Sequence, residues 1–148
     1  MAKNLITIGR QDKVDLPELG LKDIDIKVDT GAYTSSINCS RVKVKLINGV
    51  ETLCFYISGS KIHEKKSREF STINFEKRKV RSSNGMTENR YVIETFVLLF
   101  GKKAKLEFSL TDRSKMRFPV LLGRKFLTQR FIVDVSKKNL SYKQKTSL

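Results

Sequence analysis

The chain has 148 residues, 39% of them hydrophobic and 30% charged, which suits one globular domain (residues 1–148) with a real core rather than a disordered chain. No apolar run nears the ~20 residues that a membrane-spanning helix needs, and none of signal-peptide length precedes Gly9-Arg10, so with only Cys39 and Cys54 the expectation is a reduced, cytoplasmic protein with no membrane partner. Thirty Lys and Arg against 15 Asp and Glu leave a net charge of +15, a field that attracts nucleic acid, an anionic membrane or acidic polypeptide without choosing between them.

In chain order, Asn4–Gly9 predicts a first strand carrying Leu5, Ile6 and Ile8, and Asp15–Gly20 a loop, since Pro17 lacks a donor and Gly20 favours a turn. Ile24, Ile26 and Val28 alternate with Asp25 and Lys27 in a second strand ending on Asp29, and the first two strands could form a hairpin. Thr30–Asn38 is then a turn rich in small hydroxyl residues. Arg41–Leu46 alternates with its basic residues outward, Asn48-Gly49 supplies a tight turn, and Thr52–Ile57 returns with Leu53, Phe55 and Ile57 on one face.

Ser58–Arg68 loses the alternation and reads as a loop or a single helical turn. Strand character returns over Ile73–Arg81, Ser82–Gly85 is a turn, and Asn89–Phe100 is a long strand. Gly101-Lys102-Lys103 turns the chain into Ala104–Leu110, where Leu106, Phe108 and Leu110 share a face. Phe118–Gly123 is wholly apolar and predicts a strand buried on both sides. Arg124–Gln129 predicts a short helix, Phe131–Val135 a strand, Asn139–Tyr142 one more, and Lys143–Leu148 a loose end. Many short strands with hardly any helix point to an all-β barrel or sandwich.

Asp29-Thr30-Gly31-Ala32 closes a strand, and Leu121-Leu122-Gly123-Arg124 follows about ninety residues later with Lys125-Phe126-Leu127 behind it. With these two arms the sequence resembles the retropepsin-like aspartic peptidases. Ile8-Gly9-Arg10, Val28–Ser36 and Phe118–Val135 are similar to a bacterial branch often encoded beside RimK-type glutamate ligases and labelled ATP-dependent zinc proteases. The resemblance implies a closed acid-protease barrel with one short C-terminal helix. It implies general acid/base hydrolysis of peptide bonds by two aspartates that share a proton, with no covalent intermediate and no metal.

This chain holds one Asp-Thr-Gly and no Asp-Ser-Gly, so the resemblance requires a homodimer joined through the Asp29 loop, each copy giving one Asp29. Thr30 would brace the paired loops and Gly31 admit close backbone approach; Leu121, Leu122 and Gly123 would support the loop from behind. Ala32 would border the substrate, and Ser83, Asn84 and Gly85 match the flap that covers it, with Arg90 and Lys79 flanking. Arg124 is read as a structural tie, with a substrate-carboxylate clamp as the other reading. The association with glutamate ligation suggests acidic, glutamate-bearing substrates and a functional link to such a ligase.

The chain departs from the pattern at Tyr33, at Asn38 in place of a histidine, and in a flap with Gly85 as its one glycine. The zinc and ATP labels find little in the residues. His63 is the sole histidine, His63-Glu64 lacks a second His, Cys39 and Cys54 have no close partner ligands, and no phosphate-binding loop is present; no cofactor is expected. A Cys–His peptidase using His63 is poorly motivated. The second reading is a non-catalytic basic β-barrel that binds nucleic acid or an acidic protein, although no Trp and few exposed aromatics offer a stacking platform.

Overall fold

A computed structural model describes residues 4–81, 84–112 and 117–147. The strands are β1 (Ile6–Ile8), β2 (Gln11–Leu16), β3 (Leu21–Val28), β4 (Ser35–Asn38), β5 (Ser40–Ile47), β6 (Val50–Ile57), β7 (Arg68–Thr72), β8 (Phe75–Arg81), β9 (Thr87–Leu99), β10 (Lys102–Thr111), β11 (Val120–Leu122) and β12 (Phe131–Val133). Two helices, α1 (Arg124–Leu127) and α2 (Leu140–Thr146), lie near the C-terminal end.

The order β10-β4-β11-β3-β2-β9, with β9 paired back onto β10, closes six strands into a ring. Closure removes the free edges that an open sheet exposes. Strand β8 hangs on the outer part of β9, where Phe75↔Ile93 to Arg81↔Thr87 run in register. The inside of the ring is filled by alternate residues: Ile24 and Ile26 from β3, Ile37 from β4, Val97 from β9, Phe108 from β10 and Leu122 from β11 are all buried. A separate three-stranded sheet, β5-β6-β7, lies outside the ring and joins the same core through Leu53, Phe55, Ile57 and Phe70. The all-β barrel is therefore the fold that the alternating sequence predicts.

Several local expectations change. The hairpin partner of β3 is not the predicted first strand but β2, over 11–14, where no element is predicted, and the first two residues of the expected loop; β1 pairs in parallel with β12 instead. Asp12 disguises β2: it occupies a buried position in the alternation with Val14 and Leu16, where a carboxylate is unexpected. Its burial is compensated by three N–H donors, from Lys13 at 2.8 Å, Ser141 at 2.8 Å and Tyr142 at 3.0 Å. The last two begin α2, so Asn139–Tyr142 is not a strand and Lys143–Thr146 is not loose; the segment is a helix whose first turn is held by Asp12. Strand β7 starts at Arg68, where the expected loop ends, and fills 69–72, for which no element is predicted; β4 forms inside the turn expected at 30–38.

Candidate active site

The connection from β3 to β4 is a turn, Asp29 to Thr34, with β11 inserted between the two strands it joins. Strand β11 runs parallel to β3 (Leu122↔Val28) and antiparallel to β4 (Leu121↔Ser36). The turn is tied on both flanks by backbone bonds. Asp29 N–H donates to the Leu122 carbonyl at 2.9 Å, Arg124 N–H to Ala32 at 2.8 Å, and Lys125 N–H to Tyr33 at 2.9 Å. Gly123 N–H donates to the buried Ser35 hydroxyl at 3.0 Å. A Cβ on Gly123 would lie 2.6 Å from the Tyr33 carbonyl oxygen, so only glycine lets the arm approach this closely.

Asp29 is half-buried at the end of β3. Its Oδ1 accepts the Gly31 N–H at 3.0 Å, the turn-capping role expected of a strand-end Asp. Its Oδ2 has no hydrogen bond or ion pair among the described residues. Thr30 and Gly31 are exposed, Ala32 is half-buried, and Tyr33 is 57% exposed. Arg124 Nη1 donates to the Thr30 carbonyl at 3.0 Å, and its guanidinium lies 5.8 Å from the Tyr33 ring centre. Leu121, Leu122 and Gly123 are buried behind the loop. Asn84 and Gly85 sit exposed at the end of the β8–β9 hairpin, Asn84 Oδ1 accepting the Met86 N–H at 3.2 Å, and Ser83 lies outside the described residues.

Beside the turn a cleft of about 870 Å³ opens between Gly31–Ser35, the β8–β9 hairpin, β10 and α1. Arg90 lines it, as does Lys79; Asn84 and Gly85 do not. Among the described residues its lining carries eight basic side chains and two acidic ones: Arg78, Lys79 and Arg81 from β8, Arg90 and Glu94 from β9, Lys105 and Glu107 from β10, and Arg124, Lys125 and Arg130 around α1. Single-sequence reading reached Lys79, Arg90 and Arg124 but missed the rest. Register shows why: Arg78 stands opposite Arg90 and Glu94 opposite Glu107, so a polar face forms only when three strands align.

The Arg78 guanidinium donates to Glu107, with Lys125 Nζ 3.9 Å from the same carboxylate, and together they hold the Glu107 carboxyl below the usual range; Arg78 is the larger influence. Arg90 pairs with Glu88, and Lys105 with Glu94 at 2.9 Å. Lys79 and Arg81 form no ion pair among the described residues.

Among the described residues no three His, Cys, Asp or Glu gather, and His63 approaches only Asp25, at 3.8 Å, which Lys13 already engages at 2.8 Å. Cys39 and Cys54 are free and buried. Burial, helped by Asp112, pushes the Cys39 thiol up to about 12, so it is not a nucleophile at neutral pH.

A closed ring whose Asp-Thr-Gly-Ala turn is backed by a Leu-Leu-Gly arm defines a retropepsin-like fold. The chain belongs to the RimB-like family, described as retropepsin-like aspartic endopeptidase RimB, whose pattern matches residues 7–144. It is 32% identical over 136 residues to a probable alpha-L-glutamate ligase of Shewanella pealeana and 33% identical over 127 residues to one of Desulfotalea psychrophila. These matches cover 92% and 86% of this chain but 30% and 27% of the relatives, so the chain spans under a third of their length. The crystal structure of Lpg0085, a Legionella pneumophila protein of unknown function, shares the fold with a TM-score of 0.72 at 22% identity, covering 94% of this chain and 99% of that one.

Proposed function

We propose that the chain is an aspartic endopeptidase that works as a homodimer, each copy supplying Asp29, and that it cleaves acidic, glutamate-bearing peptides. The observation that carries the reading is an Asp29 turn clamped by β11 and α1, with one carboxylate oxygen uncommitted among the described residues, beside a cleft dominated by cations. Two such turns meeting about a two-fold axis would bring the aspartates together, and the exposed Thr30, Gly31 and Tyr33 are the surface that a second copy would cover.

Two carboxylates at hydrogen-bonding distance cannot both ionise at little cost, so the pair retains one proton. The ionised Asp29 removes a proton from a water, which attacks the peptide carbonyl carbon. The protonated Asp29 donates to the carbonyl oxygen, and the tetrahedral species collapses as the leaving nitrogen takes up a proton. Arg124, bonded to the Thr30 carbonyl, keeps the turn in place during these steps. The β8–β9 hairpin is the element suited to cover the peptide, with Ser83, Asn84 and Gly85 at its end and Arg90 along its flank.

The cationic lining supports an acidic substrate, and the name of the relatives supports glutamate as its source: a ligase that adds glutamate pairs with a hydrolase that removes it. The cytoplasm suits this reading, since both cysteines are free; no helix among the described residues is long and apolar enough to cross a membrane.

Replacing Asp29 with Asn keeps the shape and removes the ionisable pair; hydrolysis of a glutamate-rich peptide should fall by at least about 10³-fold, judged by the loss of a paired catalytic group. Hydrolysis retained in Asp29→Asn sinks the mechanism. Salt-sensitive RNA binding that survives the substitution, with no hydrolysis by the wild type, would replace it with the basic-barrel reading.

A further inference from the structure

Among the described residues the cleft is lined by two carboxylates, and their placement is unusual. Glu94 and Glu107 stand directly opposite each other on β9 and β10, an arrangement of like charges that normally destabilises a sheet. They are tolerated because cations surround them: Arg78 and Lys125 on Glu107, Lys105 on Glu94. Arg78 comes from the hairpin that overhangs the cleft and Lys125 from the helix behind the Asp29 turn, so Glu107 joins the two sides. Glu107 takes one arm of the Arg78 guanidinium, Nη1, while Nη2 pairs with Glu76; a carboxylate held between that arm and Lys125 is the state that a bound glutamate side chain would reach.

We infer that Glu107 is an internal competitor for the substrate site: in the free protein it occupies Arg78 and Lys125, and so sets how strongly the cleft binds an acidic peptide. This rests on the cleft being the substrate site. The cleft then has a neutralised zone around Glu94 and Glu107 and a cationic zone at Lys79 and Arg81. Carboxylates of the peptide are held tightly in the second zone and must displace a resident acid in the first. Glu107 is thus a specificity-determining residue that touches no reacting atom.

The test is calorimetric titration of N-acetyl-tetraglutamate into the Asp29→Asn protein, with and without Glu107→Gln. Removing the competitor should tighten binding by about three- to tenfold at low ionic strength, with the gain shrinking as salt rises. Glu51→Gln, the same change in charge on the exposed tip of β6, should alter affinity by less than about twofold. The gain should also vanish in an Arg78→Gln background, because the two residues act as one unit. Glu107→Asp, which keeps the charge but shortens its reach, should give a smaller gain and serves if the glutamine variant unfolds.

Unchanged or weaker binding in both Glu107 variants overturns the inference, as does an equal gain from Glu51→Gln. Tetraglutamate that fails to bind any variant overturns the inference together with the acidic-substrate reading. Binding without a Glu107 effect leaves that reading standing.

Discussion

Two hairpins of this chain look nearly interchangeable as sequence. Both β5–β6 and β8–β9 carry alternating basic residues and an Asn-Gly turn, at Asn48-Gly49 and Asn84-Gly85. In the folded chain they do different things. The basic residues of β5 find partners within their own small sheet: Arg41 lies 5.3 Å from the Tyr56 ring centre, and Lys45 pairs with Glu69 at 3.3 Å. On the other hairpin Arg78 of β8 reaches across to Glu107 of β10, while Arg90 of β9 pairs with Glu88 on its own strand. The difference lies in where the second strand goes. Strand β9 continues past β8 into the ring beside β10, whereas β6, among the described residues, pairs with β5 and β7 alone. Charge acquires a role here through what the strand is stitched to.

The strongest way to break the distinction is to remove the wall that makes the cleft. Gly123→Val places a side chain against the Tyr33 and Thr34 carbonyls and should cost about 1–3 kcal/mol of overpacking, roughly 3–10 °C in Tm, with loss of hydrolysis. Gly49→Ala, in the turn of the β5–β6 hairpin away from the cleft, is the control. It meets open space but has φ +78, so backbone strain of about 1–2 kcal/mol is expected with hydrolysis unchanged. Thermal unfolding and a peptidase assay on the two variants decide this; equal loss of activity would contradict the assignment of the cleft.

A subtler comparison neutralises two cations on each hairpin. Arg81→Gln with Arg90→Gln should raise KM for a glutamate-rich peptide about tenfold, while Arg41→Gln with Lys43→Gln should change it less than about twofold. Similar effects from both pairs would mean that net charge, rather than the cleft, captures the substrate.

The smallest effect concerns the thiol at the entrance to the small sheet. With its pKa about 12 against an ordinary 9.0, Cys39 should alkylate at pH 8 about a thousandfold more slowly in the folded protein than after denaturation. Mass spectrometry of the Cys39 peptide checks it. Fast labelling in the native state would show a reactive group away from the Asp29 turn and blur the contrast between the two regions.

The ring's long strands were legible because their alternation is written in adjacent residues: Ile24, Ile26 and Val28 in β3, and Leu106, Phe108 and Leu110 in β10, are buried as spaced. Strand β2 and helix α2 were not, and one contact explains both. Asp12 looks like a surface residue until the N–H groups of Ser141 and Tyr142 reach it, and Asn139, at the N-cap of Leu140–Thr146, makes no side-chain cap hydrogen bond of its own. Partners 129 and 130 residues apart leave no local trace. The cationic cleft was half legible: the basic residues were visible, but the Glu94 and Glu107 couple depends on the β9–β10 register.

By itself, the sequence determined the family of folds, through period-two alternation, and marked the Asp29 turn and the Leu121-Leu122-Gly123 arm, because each is a contiguous motif with its own backbone demand. Tertiary structure alone decided that the arm enters between β3 and β4, that Gly123 is held against the Tyr33 carbonyl, and which of two similar hairpins faces the turn. These are contacts between segments as much as 94 residues apart, such as Arg124 with Thr30, and their energy exists only once the ring has closed.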